Sequence, residues 1–270
     1  MRALVLARGR GLRMRADDSS ARLTLGQRHA ASAGWKVLMP IGGRPFLDYV
    51  LSALADAGCR EAGVVIGPEQ RDAFLPYVHP SPATERRVRV TLVEQREPCG
   101  TADAVRSAAG WVGAEPFLVV NGDNLYPAAA VRSLMALEGP GTALFDRESL
   151  VHESNIPMDR VAEFALAELD ATGNLARITE KPPAPTFGSI GGRALVSMNA
   201  WRFNRDVLRA CEDVGPSARG EYELPAAVEL AIARGVTMKA IVARGSVLDL
   251  SRQVDVEAVA RRLALVDPRP

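Results

Sequence analysis

Lysine is scarce in this chain. Of the 33 basic residues only Lys36, Lys181 and Lys239 are lysines. Generic positive charge is therefore arginine, and a lysine marks a position where a compact ammonium serves better than a planar fork. Cysteine is equally rare. Cys59, Cys99 and Cys211 are scattered, with no C-x-x-C spacing, which argues against a disulfide framework or a zinc site and fits a reducing cytoplasm. The three histidines, His29, His79 and His152, stand in no motif with a serine or cysteine partner, so a nucleophile–base pair is not expected. No apolar run approaches membrane-spanning length, and the first strand-like run (residues 3–7) is too short for a signal peptide. A net charge of +1 leaves no general electrostatic surface for nucleic acid. G-K-[ST] is missing altogether, which excludes a P-loop. A dinucleotide fingerprint fails because Met14 stands where its third glycine belongs, and because Val65-Ile66-Gly67-Pro68 ends the second strand without an acid.

What is present is a regular alternation. Buried-strand patterns at residues 3–7, 63–66, 88–93 and 116–120 are separated by helical spacing at 45–57, closed by Gly58, and at 101–109. Alternation of this kind predicts a largely parallel sheet covered on both faces. Beyond Asp146 the pattern changes. Residues 161–169 and 175–179 flank the turn Asp170-Ala171-Thr172-Gly173-Asn174, which predicts a β-hairpin set onto the α/β core. A strand at 194–203, a helix at 225–234, a strand at 236–242 and a helix at 254–265 complete the chain. With 270 residues, no repeat and no linker, the expectation is one three-layer, Rossmann-like α/β domain with a mostly parallel mixed sheet. Its parts are a nucleotide-binding half (1–146), an acceptor-binding half (147–253) and a C-terminal helix (254–270).

Four places carry chemistry. The first strand runs into Arg8-Gly9-Arg10-Gly11-Leu12-Arg13, where glycines let backbone N–H groups approach phosphate oxygens and an arginine adds a clamp; a surface turn would look similar. Asn121-Gly122-Asp123-Asn124 ends an apolar strand, facing the crevice where α/β proteins bind ligands, and Asp123 is a candidate magnesium ligand. Glu180-Lys181-Pro182 follows the hairpin and contains one of the rare lysines. Asp249 interrupts the apolar run Val247-Leu248-Asp249-Leu250, and a buried lone carboxylate needs a partner or a metal.

Taken in order, these pieces resemble the sugar-1-phosphate nucleotidyltransferases. Leu6-Ala7-Arg8-Gly9-Arg10-Gly11-Leu12-Arg13-Met14 is similar to that family's L-A-[AG]-G-x-G-x-R-[LM]. Lys36 in Trp35-Lys36-Val37-Leu38-Met39-Pro40 looks like its P-K-x-L-[LM]-P lysine. Gln95 with Gly100-Thr101-Ala102-Asp103-Ala104 matches Q-x(4)-G-T-A-x-A. Asn121-Gly122-Asp123, Glu180-Lys181-Pro182, Gly220-Glu221-Tyr222-Glu223-Leu224 and Leu248-Asp249 follow in sequence, so the likeness spans nearly the whole chain. The resemblance implies that Leu6, Ala7, Gly9, Gly11 and Arg13 hold the triphosphate, and that Gln95, Gly100 and Thr101 hold the nucleoside. Arg13, Lys36 and Asp123 would carry the chemistry. Asp123 and Asp249 would bind Mg2+, while Asn124, Glu180, Lys181 and Asn199 would bind the acceptor. The implied partners are a nucleoside triphosphate and a sugar 1-phosphate, with no nucleic acid and no membrane, in a fold family that often forms dimers or tetramers.

Departures from the family pattern concentrate on the acceptor side. Ala165 stands for a glycine, Val247 for a tryptophan and Ser251 for a glycine, which points to a modified sugar or a cyclitol phosphate as acceptor. On the triphosphate side, Arg8 replaces a small residue, Gly34-Trp35 replaces a proline, and the gap from Arg13 to Lys36 is long enough for residues 16–34 to form a lid. Two rival readings stand beside the main one: cytidylyl transfer to a phosphonate or polyol phosphate, and a nucleotide-sensing homologue without turnover. The sequence shows no hexapeptide repeat, so an appended acyltransferase is not expected.

Overall fold

A computed structural model describes residues 1–16, 18–79, 86–180 and 195–270. The main sheet contains, in chain order, β1 Arg2–Leu6, β2 Glu61–Ile66, β3 Arg89–Glu94, β4 Phe117–Asn121, β5 Gly141–Asp146, β6 Ala165–Leu169, β7 Leu175–Thr179, β8 Leu195–Phe203 and β9 Lys239–Ala243. Its path is β7-β6-β8-β4-β1-β2-β3, with β5 also lying along β8 and β9 beside β5. The strands β4, β1, β2 and β3 are mutually parallel. From β8 onward the pairing turns antiparallel, except that β9 runs parallel to β5. This is the mixed three-layer α/β architecture expected, and β6 and β7 form the hairpin set onto it.

Successive residues of a strand point to opposite faces. In β1, Ala3 and Val5 enter one apolar core while Leu4 enters the other; in β4, Leu118 and Val120 oppose Phe117 and Val119. Both faces are thus buried, which is why these strands read as continuous apolar runs. The helix Phe46–Ala57 presents Phe46, Val50, Leu51 and Leu54 to the first core and stops at Gly58, whose φ of 105° suits glycine. The second core is closed by the helices Thr101–Ser107, Arg205–Asp213 and Leu224–Ala233.

The segment after Arg13 contains a helix, Leu25–Ala33. Thr24 caps it by accepting from the Gln27 amide, while the Gln27 side chain accepts from the Thr24 amide. Among the described residues no helix is long and apolar enough to cross a membrane.

Candidate active site

A cleft of about 450 Å³ opens at the carboxyl ends of β1 and β4. Brought together around it are Leu6, Ala7, Gly9, Gly11, Arg13, Lys36, Gln95, Gly100, Thr101, Asp123, Glu180 and Asn199. Residues far apart in sequence meet here because two glycines remove the side chains that would hold them apart. An ideal Cβ on Gly11 would lie 2.5 Å from the Gly34 carbonyl oxygen, and Gly11 has a φ of +61°. That contact seats the first loop directly against the residues preceding Lys36. A Cβ on Gly122 would meet Val37 Cγ1 at 2.8 Å and the Leu6 carbonyl at 3.0 Å. The Gly122 amide donates to that same carbonyl at 2.9 Å, so the loops after β1 and β4 are tied side by side.

The phosphate-type loop has the property a phosphate needs. Among the described residues, no acceptor pairs with the backbone N–H groups of Arg8, Gly9, Arg10 or Gly11. Such consecutive free amides form an anion-binding concavity. Arg8 does not crowd them: its guanidinium, 8% exposed, turns away to donate to the Gln95 carbonyl and approaches Glu69 at 3.6 Å. Arg13 projects over the cleft with Nη1 at 2.7 Å from Glu163 Oε2, and Arg252 holds the other oxygen of Glu163.

Across the loop, Lys36 Nζ donates to Asp123 Oδ2 at 2.8 Å. Burial works against the Lys36 ammonium, but the adjacent Asp123 and the further charge of Asp249 outweigh it and leave its pKa raised. The other Asp123 oxygen accepts nothing from a described residue. Asp249 is placed by the short antiparallel pairing of Leu248–Asp249 with Asn124–Leu125, and the Leu250 amide donates to the Asp123 carbonyl at 2.9 Å. It is 2% exposed and already surrounded by donors. Oδ1 accepts from Asn124 Nδ2 at 2.9 Å and from Ser251 Oγ at 3.0 Å, and Oδ2 pairs with the Arg160 guanidinium. Arg160 in turn pairs with Asp255. Burial first, and then the neighbouring Asp123 charge, push the Asp249 carboxyl up to about 6 against the pull of Arg160.

Asn124 is not part of the cleft lining. Its amide is turned inward to Asp249, Asn121 and Tyr126. Asn199 has a φ of +58°, at the register shift in β8 between Ser197 and Ala200. Its Oδ1 accepts from Trp201 Nε1 at 3.2 Å, so its NH₂ end is the part left for a ligand. Lys181 lies outside the described residues. Of the family departures, Ala165 and Val247 are buried in the two cores, and the Ser251 hydroxyl supports Asp249. Among residues 18–33, none lines the cleft, so this segment packs beside the site rather than across it. Sequence reasoning missed Glu163, Asp103 and Arg160. Asp103 lay inside a quoted motif, whereas a buried arginine carries no mark in so arginine-rich a chain.

As a metal site the donors are spare. Among the described residues no group of three or more His, Cys, Asp or Glu could hold an ion. Magnesium bound with a triphosphate usually needs only one or two carboxylates besides phosphate and water, and the free oxygen of Asp123 fits that role. Asp249 fits only if Arg160 releases it.

A family model described as nucleotidyl transferase matches residues 31–253. The chain belongs to the sugar-1-phosphate nucleotidyltransferase family. It is 29% identical over 238 residues to the low-salt glycan biosynthesis nucleotidyltransferase Agl11 of Haloferax volcanii, covering 87% of this chain and 61% of that protein. It is 28% identical over 265 residues to the UTP–glucose-1-phosphate uridylyltransferase AglF of the same organism, covering 97% of this chain and 96% of that one. The fold is that of a UDP-glucose pyrophosphorylase solved with UDP-glucose, with a TM-score of 0.74 at 15% identity over 97% of this chain and 98% of the other. Sugar nucleotidyltransferases of this kind generally work with a divalent metal.

Proposed function

We propose that this nucleotidyltransferase joins a nucleoside triphosphate to a sugar 1-phosphate, giving a nucleoside-diphosphate sugar and pyrophosphate. The observation that carries this reading is the Lys36–Asp123 pair, 2.8 Å apart, set between a loop of free amides and the Glu180–Asn199 side of one cleft. A phosphate monoester has a second pKa of about 6 and is largely dianionic at neutral pH, so no general base is required. One of its oxygens attacks the α phosphorus, a new P–O bond forms, and the bond from the α phosphorus to the bridging oxygen of the pyrophosphate breaks. What remains for the protein is to bring two anions into line and to neutralise charge on the leaving group. The amides of residues 8–11 and the Arg13 guanidinium receive the triphosphate. Lys36 sits where the reacting phosphates meet.

Asp123, with Asp249 behind it, would hold Mg2+. Bound there, the ion would supply Lewis-acid neutralisation of phosphate oxygens. Glu180, Lys181 and Asn199 take the acceptor; a modified sugar or a cyclitol phosphate stays among the acceptors to test, although Ala165 and Val247 lie in the cores and not in the cleft lining. We assign residues 1–146 to the nucleotide, 147–253 to the acceptor and 254–270 to the closing helix, in a cytoplasmic enzyme.

The test is a pyrophosphate-release screen with magnesium, crossing the common nucleoside triphosphates with sugar and cyclitol 1-phosphates. Release that depends on one acceptor is expected. Triphosphate binding with no release across the panel would overturn transfer in favour of nucleotide sensing.

A further inference from the structure

Asp103 has no part in the transfer just described, yet it is 7% exposed and fully engaged in the first turn of the helix Thr101–Ser107. Its Oδ2 accepts from Gln95 Nε2 at 2.7 Å, and its Oδ1 pairs with Arg106. The same Gln95 nitrogen donates to the Gly100 carbonyl at 3.0 Å. A carboxylate and a carbonyl only accept, so only the NH₂ end of the carboxamide can face them. Turned over, the amide would set its oxygen against both acceptors. With both N–H groups spent inward, Oε1 is the remaining polar atom of Gln95; it accepts nothing from a described residue, and Gln95 lines the cleft.

Next to it stands a second fixed group. The Gly100 N–H donates to no described residue, and Gly100 lines the same cleft. Its backbone cannot shift freely, because its φ is +115° and a Cβ there would lie 2.4 Å from the Tyr222 carbonyl oxygen. The cleft wall therefore offers a backbone donor beside a side-chain acceptor, in an order that cannot be reversed. Uracil, thymine and guanine carry the complement, a keto oxygen next to a ring N–H. Cytosine and adenine carry an amino group next to an unprotonated ring nitrogen. They would set donor against donor and lone pair against lone pair.

We propose that Asp103 is a positioning residue that locks the Gln95 carboxamide with its oxygen toward the cleft, and that the site thereby takes a keto-base triphosphate over an amino-base one. This rests on the transfer reading only for the presence of a nucleotide in the cleft.

Isothermal titration of the full chain with UTP, TTP, GTP, CTP and ATP, with magnesium and without acceptor, tests it. UTP is expected to bind at least about tenfold more tightly than CTP, the effect of one mismatched hydrogen-bond pair in a desolvated site. Asp103→Asn should shrink that ratio at least about fivefold, with a smaller change for UTP itself. Asp103→Glu, which keeps the carboxylate, should retain the wild-type ratio. In a Gln95→Ala background, Asp103→Asn should change the ratio no further. Asp103→Ser serves in its place if Asp103→Asn does not fold. A folded Asp103→Asn with the wild-type ratio, or a wild-type protein that binds CTP as tightly as UTP, would overturn the proposal. If none of the five binds, the transfer reading falls together with this one. If all five bind alike, this one falls alone.

Discussion

Two walls, one lining the cleft and one buried behind it, are built on opposite plans. On the triphosphate wall, the amides of residues 8–11 and one oxygen of Asp123 face outward with no described partner. On the second, formed by the buried Asp249, Arg160 and Asn124, none of which lines the cleft, the charges and amides are already satisfied by one another. The first wall is a receptor with its backbone donors held ready. The second is a closed network, and recruiting Asp249 to a ligand means breaking a buried ion pair. Preorganisation is therefore strongest where phosphate charge must be neutralised.

Four experiments would break or sharpen that contrast. Asp123→Asn removes the cleft carboxylate paired with Lys36 and should lower kcat/KM by about a thousandfold or more, far beyond its effect on the thermal midpoint. Steady-state kinetics within tenfold of wild type would take Asp123 out of the chemistry. Arg160→Leu leaves Asp249 and Asp255 buried without their cation and should cost about 3–5 kcal/mol of stability, read from urea unfolding; a variant as stable as wild type would mean that the second wall is not a closed network. Gly11→Ala places a Cβ against the Gly34 carbonyl at positive φ and should cost about 1–3 kcal/mol, weakening triphosphate binding in the same variant. An unchanged unfolding midpoint and affinity would show that the loop has room. Glu163→Gln should have the smallest effect. Arg13 is half exposed, so its pair with Glu163 is worth about 0.2–1 kcal/mol. Releasing it should tighten triphosphate binding by a few-fold at most, and a large loss would show instead that Glu163 positions Arg13 productively.

Much of the first wall was legible in the sequence, because it is built of glycines and one rare lysine. Gly9, Gly11, Lys36 and Gly122-Asp123 stand in short local motifs, and the apolar runs of β1, β2 and β4 betray strands buried on both faces. The second wall was legible only as positions. Asp249 announces itself by interrupting an apolar run, but its partner Arg160 sits 89 residues away in a stretch with no periodic signal. Of the elements not anticipated, the helix Arg71–Val78 contains Pro76, which argues locally against a helix. The helix Arg205–Asp213 is so charge-dense that its buried stripe of Val207, Leu208, Ala210 and Cys211 is easily overlooked. β5 begins at a glycine and is held by β8 and β9 on either side, a pairing that tertiary context supplies.

The contact of Gly11 with Gly34 has a consequence for how this chain could vary. Beyond Arg13 the segment between them departs from the cleft lining, and Arg15 donates to the Ala33 carbonyl at 2.8 Å near its return. Its two ends are fastened to each other, and none of its residues from 18 to 33 lines the cleft. Doubling such a loop costs only about 0.6 kcal/mol in closure entropy. Added length between residues 18 and 33 would thus leave the described cleft lining in place. New surface, including surface for another protein, could be added there while the phosphates keep their seat.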